Sequence, residues 1–133
     1  MELKGKRYKH KKKTAIGTLK NALNGINYTF TTEINFKIHL LMALIVVVLA
    51  YILEISKVEL LLCILLIGLV LAFEVINTII EMFVDMVMPR YSPLAGMIKD
   101  ASSGAVLIMA ITSAIIGLVI FTPKLLVYLG LWF

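Results

Sequence analysis

The chain has 133 residues, 61% of them hydrophobic, and a net charge of +5 from 13 basic and 8 acidic side chains. So apolar a composition excludes a water-soluble domain with a polar surface and calls for a bilayer. A single cysteine, Cys63, excludes a disulfide framework.

Residues 1–13 read as a basic cytoplasmic tail. Eight of the basic residues (Lys4, Lys6, Arg7, Lys9, Lys11, Lys12, Lys13 and Lys20) lie in the first twenty positions. Beside apolar spans, such a run fits anionic headgroups better than nucleic acid. No cleavable signal, prenylation box or myristoylation start is seen, so the spans themselves are expected to be the anchor. Over residues 14–31, Ile16, Leu19, Leu23, Ile26 and Phe30 recur at steps of three and four, with Lys20, Asn21, Asn24 and Asn27 elsewhere on the wheel. That segment is too polar to span and suits an amphipathic helix lying in the interface.

Residues 32–133 read as three spans, making the fold class an all-α integral membrane protein. The first span is expected over residues 36–55 and the second over 58–88, joined by the short link around Lys57. A second link over residues 89–98 holds Pro89, Pro93 and Gly96, and the third span is expected over 99–121 with Pro123 as its stop. The segment after Pro123, with Tyr128 and Trp132, reads as an interfacial extension. Arg90 and Lys99 mark the second link as cytoplasmic along with the amino terminus, which puts the carboxyl terminus outside. Small residues four apart (Gly68/Ala72, Ala101/Ala105, Ala110/Ala114, Ser113/Gly117) predict close helix approach.

The second span carries Glu74, Asn77, Glu81 and Asp85. At about 100° per residue, Glu81 and Asp85 fall within roughly 20° of Glu74 on the wheel, so the three acids form one stripe with Asn77 on its flank. A charge at mid-membrane costs about 2.5–3.5 kcal/mol on insertion scales, so the stripe is expected to face something polar. If the span enters near Val58, about 20 residues at 1.5 Å each cross a ~30 Å core. Glu74 then lies about 6 Å inside the cytoplasmic boundary, Glu81 at the surface and Asp85 in water. A carboxylate at headgroup depth can take a proton from a lipid hydroxyl.

Glu33, before the first span, and Lys99–Asp100, at the start of the third, converge on the same boundary. Paired carboxylates with an incoming phosphate suit magnesium, and lysine suits phosphate. Glu33 could also be a helix-start acid and Lys99–Asp100 a surface pair. His39 reads as an interfacial polar residue and not as a ligand. A membrane-embedded enzyme and a small proton- or cation-coupled transporter both remain open, and no P-loop or protein-kinase signature decides between them.

The stretch Glu74-Val-Ile-Asn77-Thr-Ile-Ile-Glu81-Met-Phe-Val-Asp85 resembles the pattern E-x-x-N-[ST]-x-I-E-x-x-x-D of the bacterial membrane diacylglycerol kinase family, which includes the undecaprenol kinases. Ala22-Leu-Asn-Gly25-Ile, Glu33-Ile-Asn-Phe36-Lys-Ile-His39 and Lys99-Asp100 followed by Gly104-Ala-Val-Leu107 keep the family's order and spacing. The resemblance implies a homotrimeric bundle in the bacterial inner or plasma membrane, with active sites between protomers. It also implies transfer of the ATP γ-phosphate to a membrane lipid alcohol. By the same match Glu74 is the general base and Asn77 positions the reacting groups. Glu33 and Glu81 match the magnesium ligands on the nucleotide, and Lys99 and Asp100 the nucleotide-contacting pair, with Lys99 on phosphate. Ser92 replaces a frequent histidine, Asn21 an occasional aromatic nucleotide contact, and Ser102–Ser103 the usual alanines. The stretch from Asn35 to His39 is nearer the Gram-positive branch, which favours undecaprenol over diacylglycerol.

Overall fold

The computed structural model describes residues 14–90 and 92–132, so the basic tail expected over residues 1–13 lies outside the described residues. Four helices follow in order: α1 (Ala15–Thr32), α2 (Ile34–Ile52), α3 (Lys57–Val87) and α4 (Pro93–Tyr128). Among the described residues all regular structure is helical, and α2, α3 and α4 are each long and apolar enough to cross a membrane. The protein is therefore an all-α membrane protein.

Helix α1 starts at Thr14, whose Oγ1 accepts the Gly17 N–H at 3.1 Å. It stops where Glu33 turns extended, at φ −100° and ψ 119°. Its apolar stripe, Ile16, Leu19 and Leu23, stays exposed, as suits a helix lying on lipid. Beyond this corner α2 runs for 19 residues, about 28 Å, which just matches the hydrocarbon core.

The link between α2 and α3 is tight because two complementary caps meet there. The Ile55 N–H donates to the Ala50 carbonyl at 3.3 Å and the Glu54 N–H to that of Tyr51 at 3.4 Å, closing α2. This Schellman geometry puts Glu54 at φ 47°, the left-handed region where glycine normally sits. Ser56 then opens α3 with a capping box: its Oγ accepts the Glu59 N–H at 3.3 Å, while Glu59 Oε2 accepts the Ser56 N–H at 2.7 Å.

With 31 residues α3 is about 46 Å long and outruns the core by roughly 16 Å, about three turns, at its carboxyl end. Helix α4 packs along α3 more extensively than any other pair, and α1 touches both α2 and α3. An ion pair sits at each end of the α3–α4 pair: Glu59 with Lys124 at 3.2 Å and Asp85 with Lys99 at 2.5 Å. These pairings require the two helices to run antiparallel.

Two boundaries differ from the sequence expectation. Helix α4 begins at Pro93, six residues before Lys99, so the second link shrinks to residues 88–92. Proline at the first helical position lacks an N–H that would be orphaned anyway and brings a preset φ, so it starts the helix instead of breaking it. Pro123 likewise lies inside α4 and does not end it. Membrane helices tolerate proline because neighbouring helices and local adjustments re-satisfy the freed carbonyl. The end comes at Leu129, where the Leu131 N–H donates to the Leu126 carbonyl at 2.9 Å and Gly130 takes φ 68°. The expected interfacial extension is thus helical through Tyr128.

Few side chains are buried between the helices; Phe36, Val70, Val106 and Ile120 are among them, while most Leu and Ile residues face outward. A Cβ added at Gly68, Gly104 or Gly117 would meet nothing within 4 Å. These three glycines therefore do not mark close helix approach within one chain.

Candidate active site

Glu74 is the most deeply buried charged side chain, 1% exposed, on a helix whose other charges lie at its two ends. Its Oε1 has no hydrogen-bond partner. An ionised carboxylate kept out of water without a donor is costly, so a group with no structural task would not be placed there. Around it the helix is polar for one and a half turns. Thr78 Oγ1 donates to the Glu74 carbonyl at 3.0 Å, and Asn77 Nδ2 donates to Glu81 Oε1 at 2.9 Å. The Asn77 oxygen is buried and, like Glu74 Oε1, has no donor.

Burial falls off toward the carboxyl end of α3. Glu74 is buried, Glu81 half-buried, and the Asp85 side chain 67% exposed. This is the order expected if the last turns leave the hydrocarbon.

Glu33 and Glu81 are the two charges that act on the Glu74 carboxylate. Glu33 occupies the N-cap position of α2 but makes no side-chain cap bond, so its carboxylate does not serve the helix end. Glu33 and Glu81 therefore lie near Glu74, though the three acids are not gathered into one cluster. Neither ion pair found among the described residues, Lys99–Asp85 or Lys124–Glu59, reaches them. Lys37, near the same corner, donates to the Thr31 carbonyl at 3.4 Å and lies over the Phe30 ring. A hard divalent cation fits this oxygen-only donor set. No group of three or more metal-ligating side chains is gathered among the described residues. Magnesium takes only one or two protein carboxylates and completes its shell with phosphate and water.

A half-open cleft of about 490 Å³ runs past Glu74. Its polar lining is Asn35 and His39 from α2, Glu74 and Asn77 from α3, and Asp100 and Ser103 from α4. Further along α4 the wall becomes apolar, with Val106, Leu107 and Ala110. A cleft polar at one end and greasy at the other is shaped for an amphiphile with a small polar head.

Of the residues singled out from sequence, Glu74, Asn77 and Asp100 share this cleft, and Glu33 and Glu81 stand beside it. Lys99 does not line it. Consecutive residues on a helix point about 100° apart, so while Asp100 faces the cleft Lys99 turns to Asp85. Ser92 is the N-cap of α4 without a side-chain cap bond, and Asn21 is exposed on α1. Sequence reasoning missed His39 and Asn35 as cleft residues. Their spacing of four, which stacks polar side chains on one face of an otherwise apolar helix, was the available signal.

Residues 20–121 match the family described as prokaryotic diacylglycerol kinase, an interval that contains all six candidate residues. The chain is 43% identical over 105 residues to the undecaprenol kinase of Bacillus subtilis, covering 79% of this chain and 85% of that one. It is 35% identical over 103 residues to a diacylglycerol kinase of Synechocystis, covering 77% of this chain and 59% of the relative. A diacylglycerol kinase of Haemophilus influenzae is 32% identical over 93 residues, 70% of this chain and 79% of that protein.

Proposed function

The chain belongs to the prokaryotic diacylglycerol kinase family, and from that premise we propose that it phosphorylates undecaprenol with ATP at the cleft around Glu74. It is a membrane lipid kinase, which removes the transporter reading. The observation that carries the site assignment is the buried, donorless Glu74 carboxylate at the junction of a polar and an apolar cleft wall. The preference for a polyprenol rests on the 43% identity to a protein named undecaprenol kinase.

The chemistry follows from what each side chain can hold. The alcohol lies with its chain along Leu107 and Ala110 and its hydroxyl at Glu74. Glu74 accepts the hydroxyl proton as the alcohol oxygen bonds to the γ-phosphorus, and the bond from that phosphorus to the β–γ bridging oxygen breaks, releasing ADP. Asn77, tied to Glu81, keeps the third turn of this helical stripe in register with the reacting groups. Glu33 and Glu81 would hold magnesium, which when bound neutralises phosphate charge. Asp100 lines the nucleotide side, and Lys99 exchanges its contact with Asp85 for phosphate when nucleotide arrives.

We also place the amino terminus and the α3–α4 link in the cytoplasm, supported by Arg90 and Lys99 and by the surplus length of α3 on that side. Gly68 and Gly117, which no neighbouring helix of the same chain approaches, support a homotrimer in which another copy covers them. Purified protein in liposomes, given labelled ATP with undecaprenol or diacylglycerol in parallel, tests the reading. Faster labelling of the prenol is expected; faster labelling of diacylglycerol would reverse the substrate assignment, as the relatives of that name allow.

A further inference from the structure

Deepening the reading just given, on which it rests, we propose that His39 touches the lipid alcohol. Its ring N–H donates to the alcohol oxygen while the alcohol's own hydrogen points to Glu74. A hydroxyl brings one donor and two acceptor positions. The α3 wall can take the donor, since Glu74 Oε1 and Asn77 Oδ1 are both buried and lack one. The same wall has little to offer the oxygen: Asn77 turns its amide nitrogen to Glu81, and the Thr78 hydroxyl is bonded to the Glu74 carbonyl. A donor must come from another helix.

Three neutral polar side chains from the other helices line the cleft: Asn35, His39 and Ser103. Asn35 and Ser103 are exposed, and His39 is half-buried. Depth selects among them. Because α2 is only as long as the core is thick, its start at Ile34 marks the boundary, and His39 lies about 7.5 Å inside. Glu74 lies about 6 Å inside when counted independently along α3. Asn35 is left at about 1.5 Å, the level of the headgroups. The imidazole and the carboxylate therefore line one cleft at similar depth, from two different helices.

The test compares the parent with His39→Ala and His39→Gln in liposomes, reading KM for undecaprenol, KM for ATP, kcat and the thermal midpoint. His39→Ala is expected to raise KM for the prenol about tenfold, the loss of one ordinary hydrogen bond. KM for ATP and the midpoint should stay at parent values, and His39→Gln, which keeps an N–H donor, should recover most of the loss. An unchanged prenol KM in His39→Ala would overturn the proposal. So would equal changes in both KM values, or a lowered midpoint that glutamine does not repair, since those mark a packing residue. A parent that labels no lipid alcohol would instead overturn the kinase reading at this cleft, and this contact with it.

Discussion

Replacing Glu74 by glutamine keeps the shape of the side chain and removes its charge and its proton affinity. The carboxyl group is 1% exposed and Oε1 has no donor, so ionising Glu74 places a charge that the chain does not compensate. Glutamine lifts that cost, and the thermal midpoint of Glu74→Gln is expected to equal or exceed the parent's. Turnover should move the other way. A positioned general base contributes about 10²–10⁴ in rate, equivalent to about 2.7–5.4 kcal/mol of barrier. The assay is transfer of label from ATP to undecaprenol in liposomes, with ATP affinity measured separately by titration. Lost turnover with retained fold and retained ATP affinity is the signature of a missing base. Turnover within about threefold of the parent, far short of the rate a general base supplies, would refute the role given to Glu74.

Glu33→Gln and Glu81→Gln should each raise the magnesium concentration for half-maximal activity, by about tenfold for the loss of one of two carboxylates; a magnesium titration checks this. Lys99→Ala should raise KM for ATP about tenfold, whereas Asp85→Asn should shift thermal stability by no more than about 1 kcal/mol, because the pair it breaks is partly solvated. Glu54→Gly should stabilise the fold by about 1 kcal/mol without altering kcat, since it removes a side chain from left-handed backbone in the α2–α3 link, remote from the cleft. Denaturant-induced unfolding in detergent measures that gain.

What could be read from the sequence divides along physical lines. Helical periodicity and the cost of charge in lipid together made the Glu74–Glu81–Asp85 stripe legible, because spacings of seven and eleven leave no other geometry. The surplus length of α3 was implicit in the same count. Prolines were read as stops, yet Pro93 begins α4 and Pro123 lies within it, because a proline's effect depends on its position and its surroundings. Lys99 and Asp100, adjacent in sequence, have different surroundings in the structure, Lys99 pairing with Asp85 and Asp100 lining the cleft. His39 was read as an interfacial polar residue because a polar side chain on a lone apolar helix shows no partner until a second helix is packed against it.

The most direct measurement is photo-crosslinking with a prenol analogue bearing a diazirine at its alcohol end, followed by mapping of the adduct. Labels are expected on the cleft wall, at Glu74, Asn77, His39 or Ser103, and should vanish in competition with undecaprenol. Adducts confined to outward-facing residues such as Leu61 or Ile115, undiminished by that competition, would contradict the claim that the lipid hydroxyl is delivered to Glu74.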